Sequence, residues 1–102
     1  MLIASDVRAY ICRDPVEMRK AIDGLSYLVE LLLSQKPASG NLFVFVARDR
    51  SKVKILYWDR TGFARWYKRL ERGRFPSPSL LAQRGFTLAE LNAWLESIEI
   101  PA

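Results

Sequence analysis

The chain has 102 residues, half of them hydrophobic, a net charge of +5, one cysteine and no histidine. This length and composition predict a single domain over residues 1–102. A lone thiol excludes an internal disulfide, and without Cys or His partners it excludes a zinc site. No stretch approaches the roughly 18 to 20 apolar residues of a membrane span, and the N-terminus lacks the pattern of a signal peptide, so we expect a cytoplasmic protein without a membrane partner.

The first predicted elements are a strand and a long helix. Residues 7–11 are β-branched or aromatic at several positions and predict a short strand. Asp14 as N-cap, Pro15 at the first helical position and Glu17 three residues after the cap predict a helix that runs to about Gln35. Its apolar stripe comprises Met18, Ile22, Leu25, Val29 and Leu32. Gly24 costs this helix about 1 kcal/mol relative to Ala, which suggests close packing against a sheet or a local break.

Three strands are predicted next. Residues 42–47 are apolar on both faces and predict a central strand, followed by strands over residues 53–58 and 63–70. Asp59 and Gly62 predict a type I turn with a bulge between the last two. Alternation along the last strand places Phe63, Arg65, Tyr67 and Arg69 on one face, and Ala64, Trp66, Lys68 and Leu70 on the other, which is the better core face. The register of the preceding strand stays open, because a shift of one residue exchanges its faces.

The last predicted element is a C-terminal helix. It begins at Thr87, with Glu90 completing a capping box and with Phe86 and Leu91 placed to form a hydrophobic staple. Its buried stripe comprises Leu88, Leu91, Leu95 and Ile98. The predicted fold class is α+β: a short first strand, a long helix, a three-stranded antiparallel meander and a C-terminal helix packed on the sheet. We expect both helices on one face of the sheet.

Positive charge is concentrated in the middle of the chain. Residues 48–75 hold ten of the sixteen Lys and Arg residues and only three acids, a net charge of +7. Six aromatic residues are interleaved with these charges: Tyr57, Trp58, Phe63, Trp66, Tyr67 and Phe75. Cations displace counterions from phosphates and flat rings cover sugars or bases, so the pattern favours a polyanion partner. The alternative is a solvated basic hairpin whose aromatic residues belong to the core.

Residues that commonly carry out catalysis are scarce. Without histidine, the commonest general base and metal ligand is missing, and no glycine-rich phosphate loop follows a strand. Cys12 is interpreted as a small buried thiol rather than a nucleophile, since no histidine can pair with it. Asp14, Glu17 and Asp23 could offer oxygen ligands, but the first two have helix-start roles. We therefore predict no catalytic activity, no metal, no cofactor and no small-molecule substrate.

Several ordered motifs resemble one protein family. They are Glu-Met-Arg-Lys-Ala-Ile-Asp-Gly-Leu at 17–25, Leu-Phe-Val-Phe at 42–45, Lys-Ile-Leu-Tyr-Trp-Asp-Arg-Thr-Gly-Phe at 54–63 and Trp-Tyr-Lys-Arg-Leu-Glu-Arg-Gly-Arg-Phe-Pro at 66–76. Together they resemble the TnpB-type accessory proteins, the short second-frame products of bacterial insertion sequences of the "sixty-six" family. The resemblance implies a role in DNA transposition beside a separate, larger transposase, and it brings no catalytic residues. Residues 46–52 carry fewer arginines than is usual in the family, which shifts the expected DNA contact to residues 65–74.

Three hypotheses about function follow. The first is a non-catalytic accessory factor that binds DNA, expected to be the element ends, through the basic hairpin and adjoining turn. Its predicted contacts are Arg65, Tyr67, Lys68, Arg69, Arg72 and Arg74, with Gly73 allowing a turn that gathers the arginines. The alternative is an adaptor that recruits or activates the transposase, with Arg19, Lys20, Trp58 and Phe63 as contacts. A small toxin-type ribonuclease without histidine is the third, and strand order and resemblance argue against it.

Overall fold

The computed structural model describes residues 6–82 and 84–100, and it contains one four-stranded sheet. The strands are β1 (Ala9–Ile11), β2 (Leu42–Val46), β3 (Lys52–Asp59) and β4 (Gly62–Arg69), in the spatial order β1-β2-β3-β4. β1 pairs parallel to β2, and the other two pairs are antiparallel. The helices are α1 (Ile22–Leu33) and α2 (Leu88–Glu96), with short 3₁₀ turns at Pro37–Ser39 and Pro78–Leu80. The predicted α+β class and its element order are confirmed.

The two helices lie on opposite faces of the sheet. Strand β2 is buried at every position, and its side chains alternate between two apolar clusters. Phe43 and Phe45 pack with Leu25 and Val29 of α1, whereas Val44 belongs to the cluster that contains α2. The expectation that both helices share one face is therefore wrong. A strand that is apolar on both faces needs a layer on each side, which is the physical reason for this arrangement.

Helix α1 begins seven residues later than the cap signals predict, with Ala21 rather than Asp14 at its N-cap. Asp14 is not its N-cap, because the backbone N–H of Cys12 bonds to the carbonyl of Val44 (2.8 Å) and that of Val16 bonds to Val46 (3.0 Å). These bonds hold a bent, non-helical segment against β2, and Val16 is buried there. Tertiary hydrogen bonds and burial thus override a local helix-start pattern.

The apolar stripe of α1 is confirmed at its centre and wrong at its end. Leu25 and Val29 are fully buried, as predicted. Leu32 is 46% exposed, and Leu33, four residues after Val29, packs against the core instead. Leu25, Val29 and Leu33 are spaced four residues apart and therefore point to the same side of the helix, towards the sheet. Only this narrow side of α1 touches the sheet, so Leu32 stays partly exposed.

The β3–β4 hairpin has a two-residue loop and no bulge. Asp59 pairs with Gly62, and the ladder continues unbroken from that pair to Lys52 opposite Arg69. Arg60, at the first loop position, has φ of 52°, which excludes the predicted type I turn. A positive φ at this position is typical of the primed turns, whose twist matches that of the two strands.

The capping box predicted for helix α2 is confirmed, whereas its buried stripe is confirmed only in part, since Leu88 and Leu95 are half-buried and Ile98 lies beyond the end of the helix. The Thr87 hydroxyl accepts from the N–H of Glu90 (3.1 Å), and the Glu90 carboxylate accepts from the N–H of Thr87 (2.9 Å). Leu91 and Trp94 are buried, and the Trp94 ring stacks on Phe75 with centroids 5.4 Å apart. Within residues 6–82 and 84–100, no helix is long and apolar enough to cross a membrane.

Candidate nucleic-acid interface

Three of the predicted contact residues form one row on the exposed part of strand β4. Arg65, Tyr67 and Arg69 alternate along the strand, all three are exposed, and they lie on the face that α1 occupies further along the sheet. Their partners across the ladder are Leu56, Lys54 and Lys52, respectively. The predicted alternation of β4 is therefore confirmed, and the register that the sequence left open is fixed. We call Arg65, Tyr67 and Arg69 the cationic row.

Lys54 lies behind the cationic row and is buried. Its ammonium group donates to the carbonyl of Met18 and to that of Lys20, the latter at 3.0 Å. It also lies 5.8 Å from the ring centroid of Tyr67. Burial lowers the pKa of Lys54, and the nearby Arg65 cation lowers this pKa further. Sequence reasoning placed Lys54 in a strand but missed this role, since both carbonyl partners are more than thirty residues away.

Salt bridges neutralise parts of this surface unevenly. Arg69 pairs with Glu71 at 3.3 Å and Lys52 with Asp49 at 3.9 Å, both as partly solvated pairs that contribute little to stability. Within the part of the chain that the structure describes, Arg65 forms no salt bridge. No carboxylate of a described residue is therefore paired with this guanidinium group, which lies near the Lys54 ammonium group, and two neighbouring cations favour a bound anion.

Two open depressions lie beside the segment that leads into α1. One, of about 490 Å³, is lined by residues 15–18, residues 47–49 and Lys52. The other, of about 450 Å³, is lined by residues 21–23 and Arg65. The first lies between the segment that precedes α1 and the connection from β2 to β3, and the second lies between the start of α1 and Arg65 of β4. Arg65 of the cationic row thus lines the second depression.

The other predicted contacts lie elsewhere. Lys68 is exposed on the opposite face of the sheet, where its ladder partner is Val53. Arg74 pairs with Glu99 (3.0 Å), and Gly73 has φ of 82°. A Cβ at Gly73 would lie 2.7 Å from the carbonyl oxygen of Glu99, so this glycine serves the contact with the C-terminal segment. Arg72 is exposed at the same turn and forms no salt bridge to a described residue.

The residues predicted as partner contacts differ in how far their side chains are exposed to solvent. Trp58 and Phe63 face each other across the hairpin, with centroids 5.1 Å apart in an edge-to-face arrangement, and both are half-buried. Arg19 is exposed and pairs with Glu17 (2.8 Å). Lys20 is exposed, and its carbonyl accepts a hydrogen bond from the Lys54 ammonium group.

The single cysteine is structural. Cys12 is buried, and burial raises the pKa of its thiol, as expected for a structural cysteine.

Comparison with known proteins identifies a family and two relatives that the sequence of this chain matches. A family model described as "IS66 Orf2 like protein" matches residues 7–102, which confirms the resemblance found in the sequence. Two similar proteins come from Sinorhizobium fredii (strain NBRC 101917 / NGR234). "Uncharacterized protein y4hO" is 39% identical over 74 residues, covering 72% of this chain and 64% of that protein. "Uncharacterized protein y4jC" is 35% identical over 72 residues, covering 71% and 62%. The matches thus span less than two thirds of either relative's length. No solved structure matches the chain.

Proposed function

Because the chain belongs to the IS66 Orf2-like family of insertion-sequence accessory proteins, we propose that it binds DNA during transposition through the cationic row and performs no chemistry of its own. The family implies the accessory role in transposition. The DNA contact, with element ends as the expected site, and the separate transposase as a further partner are parts of the proposal.

The observation that carries this proposal is the order of side chains on β4. Two guanidinium groups flank an exposed aromatic ring at alternate positions of one strand. Residues two apart in a strand lie about 7 Å apart, which is roughly the axial rise of two phosphates along one DNA strand. The buried Lys54 adds positive charge behind the ring. The row can therefore follow a phosphate backbone, while the ring covers a sugar or base.

The test compares two variants that remove the same charge from opposite faces of β4. Arg65→Gln should weaken binding to element-end and random DNA alike, because phosphate contacts position a protein without reading bases. Lys68→Gln is the matched control and should bind like the wild type. Gel shifts at several salt concentrations should give a slope of log K against log salt that flattens by roughly 0.9 for each lost contact. Equal effects of the two substitutions, or none, would contradict the assignment of this face.

The adaptor hypothesis remains the second candidate, with a different anchor. Trp58 and Phe63 pack on each other and are half-buried, so they present little apolar surface to a partner. Tyr27 and Leu31 of α1 are 63% and 58% exposed. Exposed apolar side chains of this size on one helix are typical of an interaction surface.

A further inference from the structure

A basic cavity of about 190 Å³ lies where three segments that are distant in the sequence meet. The bond from the N–H of Val16 to the carbonyl of Val46 (3.0 Å) holds the first segment against β2. The bond from the N–H of Phe75 to the carbonyl of Arg50 (2.7 Å) brings the last segment to the turn after β2. The cavity is lined by residues 13–15, residues 46–48, Arg50 and residues 77–78. We call it the arginine pocket, and no residue of the cationic row lines it.

The arginine pocket has an excess of positive charge. The guanidinium groups of Arg13, Arg48 and Arg50 line it. Asp14 contributes the one carboxylate in the lining, so three cations against one anion leave a net charge of +2. Neither Arg13 nor Arg48 forms a salt bridge with a described residue. Cations that the fold gathers without an equal number of acids favour a bound anion.

The acids beside Arg48 do not cancel this charge. Arg48 also lines the depression of about 490 Å³, together with Glu17 and Asp49. Glu17 pairs with Arg19 at 2.8 Å, and Asp49 pairs with Lys52 at 3.9 Å. Each of these carboxylates therefore has a nearer cation than Arg48.

Arg50 reaches the pocket from an unfavourable backbone conformation. Its φ of 61° lies in the left-handed region, which glycine adopts most readily. Its N–H donates to the carbonyl of Ala47 (2.9 Å), so the turn fixes this conformation. Its pair with Glu99 (3.3 Å) uses the carboxylate oxygen to which Arg74 also donates (3.0 Å), so one anion is divided between two cations. Strain of this kind is concentrated at binding sites, which agrees with an anion-binding role for Arg50.

The charge and the shape of the arginine pocket indicate a phosphate monoester. Such a group carries about −1.5 to −2 charges at pH 7 and presents three strong acceptor oxygens, which match the paired donors of guanidinium groups. The net charge of +2 in the pocket fits this dianion better than the single charge of an internal phosphodiester. The pocket is also smaller and more enclosed than the two depressions beside α1. A strand end can enter such a cavity, whereas an internal phosphate, continued on both sides, needs an open groove.

We propose that the arginine pocket binds the terminal phosphate monoester of a DNA strand. Arg13 and Arg48 donate to its oxygens, and the less exposed Arg50 adds charge to the site. The charge of the pocket indicates the monoester, and that it ends a DNA strand rests on the proposed function. The gel shifts with Arg65→Gln test that function separately, because Arg65 does not line this pocket.

The test titrates the isotope-labelled full chain with short thymidine oligonucleotides and follows its NMR signals. Two dinucleotides carry a terminal phosphate, one at the 5′ end and the other at the 3′ end. A tetranucleotide with hydroxyl ends is the control, because its three diester charges nearly equal the total charge of either dinucleotide. At least one dinucleotide should bind on the order of tenfold more tightly than the tetranucleotide, with shifts centred on Arg13 and Arg48. Equal affinities, or saturable shifts with none of the three, would overturn the proposal.

Three variants locate the site. Arg13→Gln and Arg48→Gln should each lower the affinity for the phosphorylated dinucleotide by about tenfold. Arg60→Gln is the matched control, since it removes the same charge from the β3–β4 loop, roughly 26 Å away along β3, and should bind like the wild type. Unchanged affinity in both pocket variants would show that the ligand does not bind there. A phosphoserine peptide that binds more tightly than either dinucleotide would identify a protein as the ligand and would also overturn the proposal.

Discussion

The ammonium group of Lys54 lies 5.8 Å from the ring centroid of Tyr67, its neighbour across the β3–β4 ladder. The same group donates to the carbonyls of Met18 and Lys20. One buried side chain therefore connects the segment that precedes α1 with the centre of the cationic row. Stability and the proposed binding surface share this residue.

Lys54→Met should destabilise the protein. Met keeps much of the aliphatic stem but cannot donate, so the carbonyls of Met18 and Lys20 lose a charged partner. We expect the free energy of unfolding to fall by about 1 to 3 kcal/mol in urea denaturation. Lys52→Met is the control on the same strand face, because its 3.9 Å pair with Asp49 is partly solvated and should matter little. Equal midpoints for the two variants would show that Lys54 does not hold the segment.

Gly73→Ala should also destabilise the fold. The residue has φ of 82°, and its added Cβ would approach the carbonyl oxygen of Glu99 to 2.7 Å. Strain at a positive φ costs on the order of 1 kcal/mol or more before the clash is counted. Gly40→Ala is a matched control, since Gly40 also has a positive φ but a Cβ there meets nothing. Thermal unfolding should show a clearly larger loss at position 73, and a loss no greater than that at position 40 would contradict the packing role.

The elements that could be predicted from the sequence depend on neighbouring residues. The capping box of Thr87 and Glu90 spans three residues, and the alternation of Arg65, Tyr67 and Arg69 is a property of one strand. Each pattern is complete within a few positions, so the structure that it predicts does not depend on distant contacts and is confirmed.

The features that were missed depend on contacts between distant residues. Asp14 and Glu17 carry good cap signals, but the N–H of Val16 bonds to Val46 instead. The sequence predicts that Gly73 allows a turn, and its positive φ agrees, but the contact that excludes a Cβ there is with Glu99, more than twenty residues further along the chain. Local propensity cannot anticipate such partners, because they are brought close only by the complete sheet.

Glu90 gives α2 a stability that depends on pH. The Arg84 guanidinium, at 2.6 Å, and the N–H of Thr87 hold the pKa of Glu90 at about 2, below its usual 4.5. A lowered pKa in the folded state stabilises the protein above pH 4.5, and this contribution is lost as the pH falls from there to about 2. Glu90→Gln should therefore lower the melting temperature at pH 7, with a difference that shrinks towards pH 2. Glu96→Gln in the same helix is the control, and a difference for Glu90→Gln that is constant with pH would argue against the charge.

Substitution of Tyr67 should separate single-stranded from double-stranded DNA binding. This prediction rests on the proposed function: the ring is 47% exposed between Arg65 and Arg69, and bases are accessible for stacking only where they are unpaired. Tyr67→Leu should weaken binding of a single-stranded oligonucleotide by roughly 1 to 3 kcal/mol, and Tyr67→Phe should retain it. Duplex binding, which depends on Arg65 and Arg69, should change little in either variant. Anisotropy titrations with both DNA forms provide the measurement. Equal losses on both forms would limit the cationic row to backbone contacts, and unchanged binding in Tyr67→Leu would remove the ring from the interface.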